Sequence, residues 1–564
     1  MNSEKPSPVI RWFPSLTDVA FLMPLALLFL RMDGAQRMLG DGDTGWHIRT
    51  GEWILQNGRV PDKDMFSFTK AGEPWYAWEW LWDVVFAWLH IHFGMAAVVL
   101  ASILVICFTF AILFRLVRSN CPNVIVAFGI TFMATAGSTM HWLARPHLFT
   151  LLFVVIFCAL LERARSGQTR WLLLLPALMI LWTNLHGGFF VGILLIGCYA
   201  AGELVFWLVE QDRQQARAAL ARSKPFLFSA LACAAATLFN PYSYRLHLHL
   251  YRYLGASSHL KYIDEFQPTN FRNSLALWLE PMALLGAVAI LWCLYHKRFA
   301  HAILLAGWLH LALFAARNLP IFLIVAAPFV AGMAHEALLR LRHAPLAAWV
   351  GRTVKSLEDF AEDFGATDRF GRVHLTSALG FLAVGALFFT PAPTPKFRTE
   401  YDPKKYPAQA LEVLRGAEFS RSIFTNDEWG DYLIYRSFPG TKVFIDGRSD
   451  FYGDDFLDKY IGVLKPKYTW EATLAEHGVD TILLPVGAPL VSTLKESHCW
   501  RPVYDDGMAI VFRSEIALAR AGSPGLSQVP AAALGSRVSR GREAAKYSQR
   551  GPRTTKFNVR SESL

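Results

Sequence analysis

Long apolar blocks recur through the first two thirds of this sequence, each of roughly 17–22 residues, the length a helix needs to cross a hydrocarbon core. In lipid the peptide groups find no water, so such segments fold as helices that satisfy their own backbone. The blocks predict spans near 16–32, 94–114, 123–142, 147–162, 171–186, 188–209, 225–239, 275–295, 299–315, 318–335 and 373–391. Charge is scarce in keeping with this. Only 18% of the 564 residues are charged, where a soluble chain carries about a quarter. The expected fold class is a polytopic α-helical membrane protein of about 11 transmembrane helices, followed by a C-terminal α/β domain.

The first block follows a short basic N-terminus and runs into Arg31 without a small-residue cleavage site, which reads as an uncleaved helix. Residues 76–93 are amphipathic and rich in tryptophan, the pattern of an interfacial helix leading into the second span. Basic residues then fall on alternate loops: Arg115 and Arg118, Arg163 to Arg170, Arg213 to Lys224, Lys297 and Arg298, and Arg340 to Arg372. That asymmetry places the N-terminus inside and the C-terminal domain outside. Residues 1–391 form the membrane module, with a first outer loop over 33–75. Residues 392–516 form an outer α/β domain with strands beginning at Ser422, Lys442, Thr481 and Met508, and 517–564 read as a disordered basic tail. The net charge of +10 lies mostly in inner loops and the tail, so it is a topology signal and nucleic acid is set aside as a partner. The seven cysteines show neither metal spacing nor a disulfide framework.

Chemistry concentrates at the outer ends of the spans. Asp41 and Asp43 stand in a Gly-rich turn just outside the first span, ahead of a helix that Asp43 is placed to cap and on which His47 is placed to bond Asp43. A carboxylate at the mouth of a membrane cavity can take a proton from an acceptor hydroxyl, and a second can orient that acceptor or hold a divalent cation. The plain alternative is that Asp43 is a helix cap and Asp41 a turn residue. Asp62 and Asp64 flank a proline turn and read as solvated. Glu79 and Asp83 are spaced i, i+4 among indoles, where an unpaired acid is costly. Arg145, His147, Asn184, His186, Asn240 and Arg317 all fall at outer span ends. Arg145 and Arg317 suit a donor phosphate, with interfacial snorkelling as the alternative for each. His186 precedes Gly187 and Gly188 and suits a cap. Asn426-Asp-Glu-Trp-Gly-Asp and Asp446-Gly-Arg-Ser-Asp follow strands of the soluble domain and read first as turns that dock it, with contact to acceptor or donor as the alternative.

An acidic first outer loop, an interfacial helix, many spans and an outer α/β domain together resemble the GT-C glycosyltransferases. These include protein mannosyltransferases, oligosaccharyltransferases and aminoarabinose transferases. Gly42-Asp-Thr-Gly-Trp-His-Ile-Arg-Thr-Gly, Arg145-Pro-His-Leu-Phe-Thr, Leu181-Trp-Thr-Asn-Leu-His-Gly-Gly-Phe and Phe444-Ile-Asp-Gly-Arg-Ser-Asp-Phe-Tyr are similar to motifs of a bacterial branch of that superfamily. The resemblance covers most of residues 1–515. It implies a bacterial inner-membrane enzyme transferring a sugar, with inversion, from a polyprenyl-phosphate donor to a glycan, lipid or protein acceptor at the outer face. It implies Asp41 or Asp43 as the catalytic carboxylate and leaves a divalent metal open, with Asp43 as its ligand if one is held. The soluble domain lacks the Trp-Trp-Asp element of oligosaccharyltransferases, which argues against asparagine glycosylation.

Two other readings compete. A transporter or flippase predicts ionisable residues deep in spans and an internal repeat; most span centres hold no charge and no repeat is evident. A non-catalytic assembly partner in envelope glycan synthesis predicts that the Asp41/Asp43 turn lies away from any cavity.

Overall fold

The computed structural model of the chain describes residues 11–255, 261–272, 276–343, 348–366, 371–416 and 422–516. The basic tail expected over 517–564 lies outside them. Each of the eleven apolar blocks forms helix over most of its length. Among the described residues, six helices are long and apolar enough to cross a membrane: Trp80–Asn120, Val124–His141, His147–Arg165, Gly187–Val209, Leu277–Tyr295 and Ala316–Arg342. Thr169–Leu185, Phe299–Phe314 and Leu375–Phe388 are apolar but shorter. The block at 225–239 is mostly the apolar second half of Arg213–Ala236, whose first half carries the basic residues of an expected inner loop. Leu30, Leu173, Leu208, Phe228, Leu284 and Leu291 stay well exposed, as a surface facing lipid tails requires.

The tryptophan-rich stretch becomes helical at Trp80 and breaks at Gly94, where a φ of 73° interrupts the helix before its spanning part. Across it lies Asp43–Asn57, the helix of the loop over residues 33–75, which ends at Gly58 in a left-handed C-cap. The two helices approach so closely at Gly51 that a Cβ there would sit 1.9 Å from the Asp83 carbonyl oxygen.

The C-terminal domain carries five strands: β1 (Ser422–Phe424), β2 (Lys442–Val443), β3 (Thr481–Pro485), β4 (Trp500–Asp505) and β5 (Ala509–Ser514). Their order is β2-β1-β3-β5-β4, parallel among the first three and antiparallel thereafter. Side chains alternate faces as the pleat dictates. Phe424, Ile482, Leu484, Ile510 and Phe512 join a core of the domain's own, whereas Ile423, Leu483 and Val511 face the core shared with the rest of the chain. The sequence reading misses β4. Pro502 obscures it, and an edge strand tolerates a proline because its outer N–H has no ladder partner to lose.

The domain is tied to the loop over residues 33–75. Phe68 N donates to the Val443 carbonyl and Val443 N to that of Phe66, each at 3.1 Å, so residues 66–68 extend the sheet beyond β2. Asp64, expected to be solvated, is buried beside them. Its carboxylate accepts from Ser67 N and Ser67 Oγ and faces Arg448 Nη2 at 2.7 Å. Arg448 forks onto Asp446 at 2.8 and 2.7 Å and lies over the rings of Trp75 and Phe66. The Asp446-Gly-Arg-Ser-Asp turn therefore does dock the domain, through a fully buried Asp64–Arg448–Asp446 triad.

Candidate active site

The loops at one end of the bundle and the facing edge of the C-terminal domain enclose a cavity of about 1570 Å³. Ligand pockets usually hold about 300–1,000 Å³, so there is room for two substrates. Eight of the ten sequence candidates line it: Asp41, Asp43, His47, Glu79, Arg145, His147, His186 and Arg317. Asn184 and Asn240 do not. Asn184 accepts from the Trp80 indole and donates to two carbonyls, pinning the interfacial helix to its neighbours. Asn240 closes a turn by donating to Thr237 O and accepting from Tyr242 N.

Asp43 is not the cap that the sequence suggests. The helix starts at Asp43 itself, Gly42 holds the N-cap position, and no side chain bonds there. The Asp43 carboxylate turns instead to Arg145, whose guanidinium straddles the pair, with Nη1 on Asp41 at 2.9 Å and Nη2 on Asp43. A third carboxyl arrives from the C-terminal domain, for Asp431 shares a hydrogen bond with Asp43 and accepts from Gly447 N at 2.8 Å. Burial pushes Asp43 up to about 6 against the pull of Arg145. Burial and the Asp43 charge push Asp431 well above the ordinary carboxylate range, so the hydrogen-bonded pair shares a proton. Asp41 Oδ1 is buried and has no hydrogen-bond partner among the described residues.

His47 does not bond Asp43 as expected. Its Nδ1 lies 2.7 Å from Asp83 Oδ1 and its Nε2 3.4 Å from Glu79 Oε2. On the other side of Glu79, His186 Nε2 lies 3.4 Å from Oε1. His186 Nδ1 accepts from Gly188 N, the cap that the sequence predicts, and faces Thr150 Oγ1 at 2.7 Å. Its proton is thereby assigned to Nε2. Burial holds His47 well below the ordinary histidine range. Glu79 is pushed up to about 8 by burial, again opposed by Arg145. His147 donates from Nε2 to the His141 carbonyl at 2.6 Å. Arg317 pairs loosely with Glu265 at 3.7 Å and lies over the Phe266 ring.

The chemistry of the Asp41/Asp43 pair bears on a metal. Arg145 bridges both carboxylates and supplies the positive charge there. Among the described residues no three His, Cys, Asp or Glu side chains converge as a ligand set.

Asp431, Gly447 and Arg448 also line the cavity, so the two loops read first as docking turns face it as well, the alternative that the sequence left open for them. Their pairing with particular residues was not legible, because no spacing links them to Asp43, nearly four hundred residues earlier.

The arrangement can be compared with known structures. The crystal structure of the Archaeoglobus fulgidus oligosaccharyltransferase tethered to an acceptor peptide superposes with a TM-score of 0.53, at 11% identity, covering 88% of this chain and 73% of that one. The chain shares its fold. The archaeal oligosaccharyltransferase AglB of the same organism, in complex with an inhibitory peptide and a dolichol-phosphate, gives 0.50 at 12% identity, over 89% and 74% of the two chains. No protein-family model matches the sequence, and no curated protein matches it. The fold held in common is that of these two archaeal membrane-enzyme structures.

Proposed function

We propose that this chain is an integral-membrane glycosyltransferase that moves a sugar, with inversion, from a polyprenyl-phosphate donor to an acceptor at the outer face of a bacterial inner membrane. The apolar blocks support eleven crossings, and the charge pattern of the loops supports an inner N-terminus and an outer C-terminal domain. The observation that carries the proposal is the Asp41–Arg145–Asp43 cluster, set in a cavity large enough for two substrates at one end of an oligosaccharyltransferase-like bundle.

Asp43 serves as the base. It is ionised near neutral pH yet basic enough to accept a hydroxyl proton in the transition state. Asp41 orients the acceptor through its unengaged Oδ1. Arg145 and Arg317 stabilise the departing phosphate, Arg317 by exchanging its loose contact with Glu265 for phosphate oxygens. Because Arg145 supplies the positive charge at the carboxylates, transfer proceeds in the presence of a chelator.

The test is transfer of radiolabelled sugar from a panel of polyprenyl-phosphate donors, in membranes carrying wild type, Asp41→Asn or Asp43→Asn at equal expression. Wild type transfers, Asp43→Asn loses about 10²–10⁴-fold, and Asp41→Asn loses less. Equal rates in all three would remove the pair from the mechanism. No transfer from any donor would favour transport or assembly.

A further inference from the structure

Glu79 has a setting that the mechanism above leaves unused. It lines the same cavity, with an imidazole Nε2 at 3.4 Å from each carboxyl oxygen, His186 on one and His47 on the other. The Gly187 backbone also bonds it. Structural duties do not account for it, since Glu79 occupies the N-cap position of Trp80–Asn120 and makes no capping hydrogen bond. Both imidazoles are anchored from behind. His186 is held by Gly188 N and by Thr150, which itself accepts from the Trp182 indole at 2.9 Å, and His47 is held by Asp83. His186 presents an N–H to Glu79, the arrangement that stabilises a carboxylate formed by loss of a proton.

We infer that Glu79 is the proton donor to the departing phosphate, an assignment that rests on the transferase reading. The acceptor oxygen forms its bond to the anomeric carbon as the bond from that carbon to the phosphate oxygen breaks. The electron pair of the broken bond stays on the phosphate oxygen, which takes the Glu79 proton. The acceptor's own proton goes to Asp43. Exchange with cavity water then returns a proton to Glu79 and removes one from Asp43, so each turnover closes. The charged and titratable groups that face Glu79 are His47, Asp43, Asp83, Arg145, His186 and Asp450. Burial, with the Asp450 and Asp43 charges, keeps Glu79 protonated at neutral pH against Arg145, while Asp43 in the same cavity is ionised. Two carboxyls whose surroundings drive them apart in this way divide the acid and base roles.

The experiment is the pH dependence of kcat/KM for the purified full-length protein in lipid nanodiscs, with polyprenyl-phosphate sugar as donor, for wild type, Glu79→Gln and Glu79→Asp. Wild type declines as pH rises through about 8, where Glu79 loses its proton. Glu79→Gln is slower by about 100-fold and lacks that decline, and Glu79→Asp recovers part of the rate. A Glu79→Gln rate within about threefold of wild type, or a slow variant that keeps the decline, overturns the assignment. Should Glu79→Gln fail to fold by thermal denaturation, the wild-type profile decides, because a rate that stays flat through the alkaline range also overturns it. Wild type inactive with every donor refutes the transferase reading itself, which is a separate outcome.

Discussion

Gly447→Ala tests whether the C-terminal domain is part of the reaction centre. Gly447 is not among the glycines with positive φ, so alanine meets no backbone strain there. The obstacle is spatial. A Cβ at 447 would sit 2.3 Å from Asp43 Oδ1 and 2.7 Å from Asp431 Oδ2, where ordinary contact begins near 3.4 Å. The carboxyls or the 446–450 turn must yield by about an ångström, and a displacement of that size at a catalytic group lowers the rate by about 100-fold. Gly447 N also donates to Asp431, so moving the turn loosens the partner that shares a proton with Asp43. The assay is initial-rate sugar transfer by the purified variant alongside thermal denaturation. The expected result is a large fall in kcat with the melting temperature nearly kept, since one methyl group at a cavity edge leaves the core intact. Wild-type kcat in Gly447→Ala would refute the reasoning, because it would mean that Asp43 and Asp431 need not stay where they are.

Three further outcomes follow from the same structure. Asp43 acts as a base only when ionised, so kcat/KM rises as pH climbs through about 6; Asp41→Asn removes a charge that raises Asp43 and frees Arg145 for it, so the acid limb moves to lower pH, and an unmoved limb contradicts the assignment. Arg448→Leu strands Asp64 and Asp446 as buried carboxylates without a counter-charge, which costs about 3–5 kcal/mol and lowers the melting temperature in detergent; unchanged melting would show the triad to be dispensable. Cys499 is the one exposed cysteine among the described residues, so a membrane-impermeant maleimide added to spheroplasts labels wild type but not Cys499→Ser, whereas labelling only after lysis would invert the topology.

The membrane helices are legible because burial in lipid writes itself into the sequence as long apolar blocks, and no competing pattern of that length exists. The end that carries the candidate site is legible only in part. Asp41, Asp43, Arg145 and His186 stand out because they gather at span ends on one expected face, and the structure brings all four to one cavity. Asn184 and Asn240 share that signal yet serve backbone carbonyls, since an amide at a helix end satisfies orphaned groups as readily as it binds a substrate. The partners of these residues were not legible. Asp431 meets Asp43, and Arg448 meets Asp64, across hundreds of residues, and such pairings arise from how the domain docks rather than from local spacing. Asp64 shows the same limit: its Pro-Asp-Lys-Asp surroundings are those of a solvated turn, and only the docked Arg448 makes burial affordable.

The most direct test of the central claim uses purified protein in nanodiscs with a radiolabelled polyprenyl-phosphate sugar and an acceptor preparation, comparing wild type with Asp43→Asn. The account predicts that wild type releases one polyprenyl phosphate for each sugar transferred, and that Asp43→Asn is folded but slower by about 10²-fold or more. Asp43→Asn transferring at the wild-type rate would contradict it.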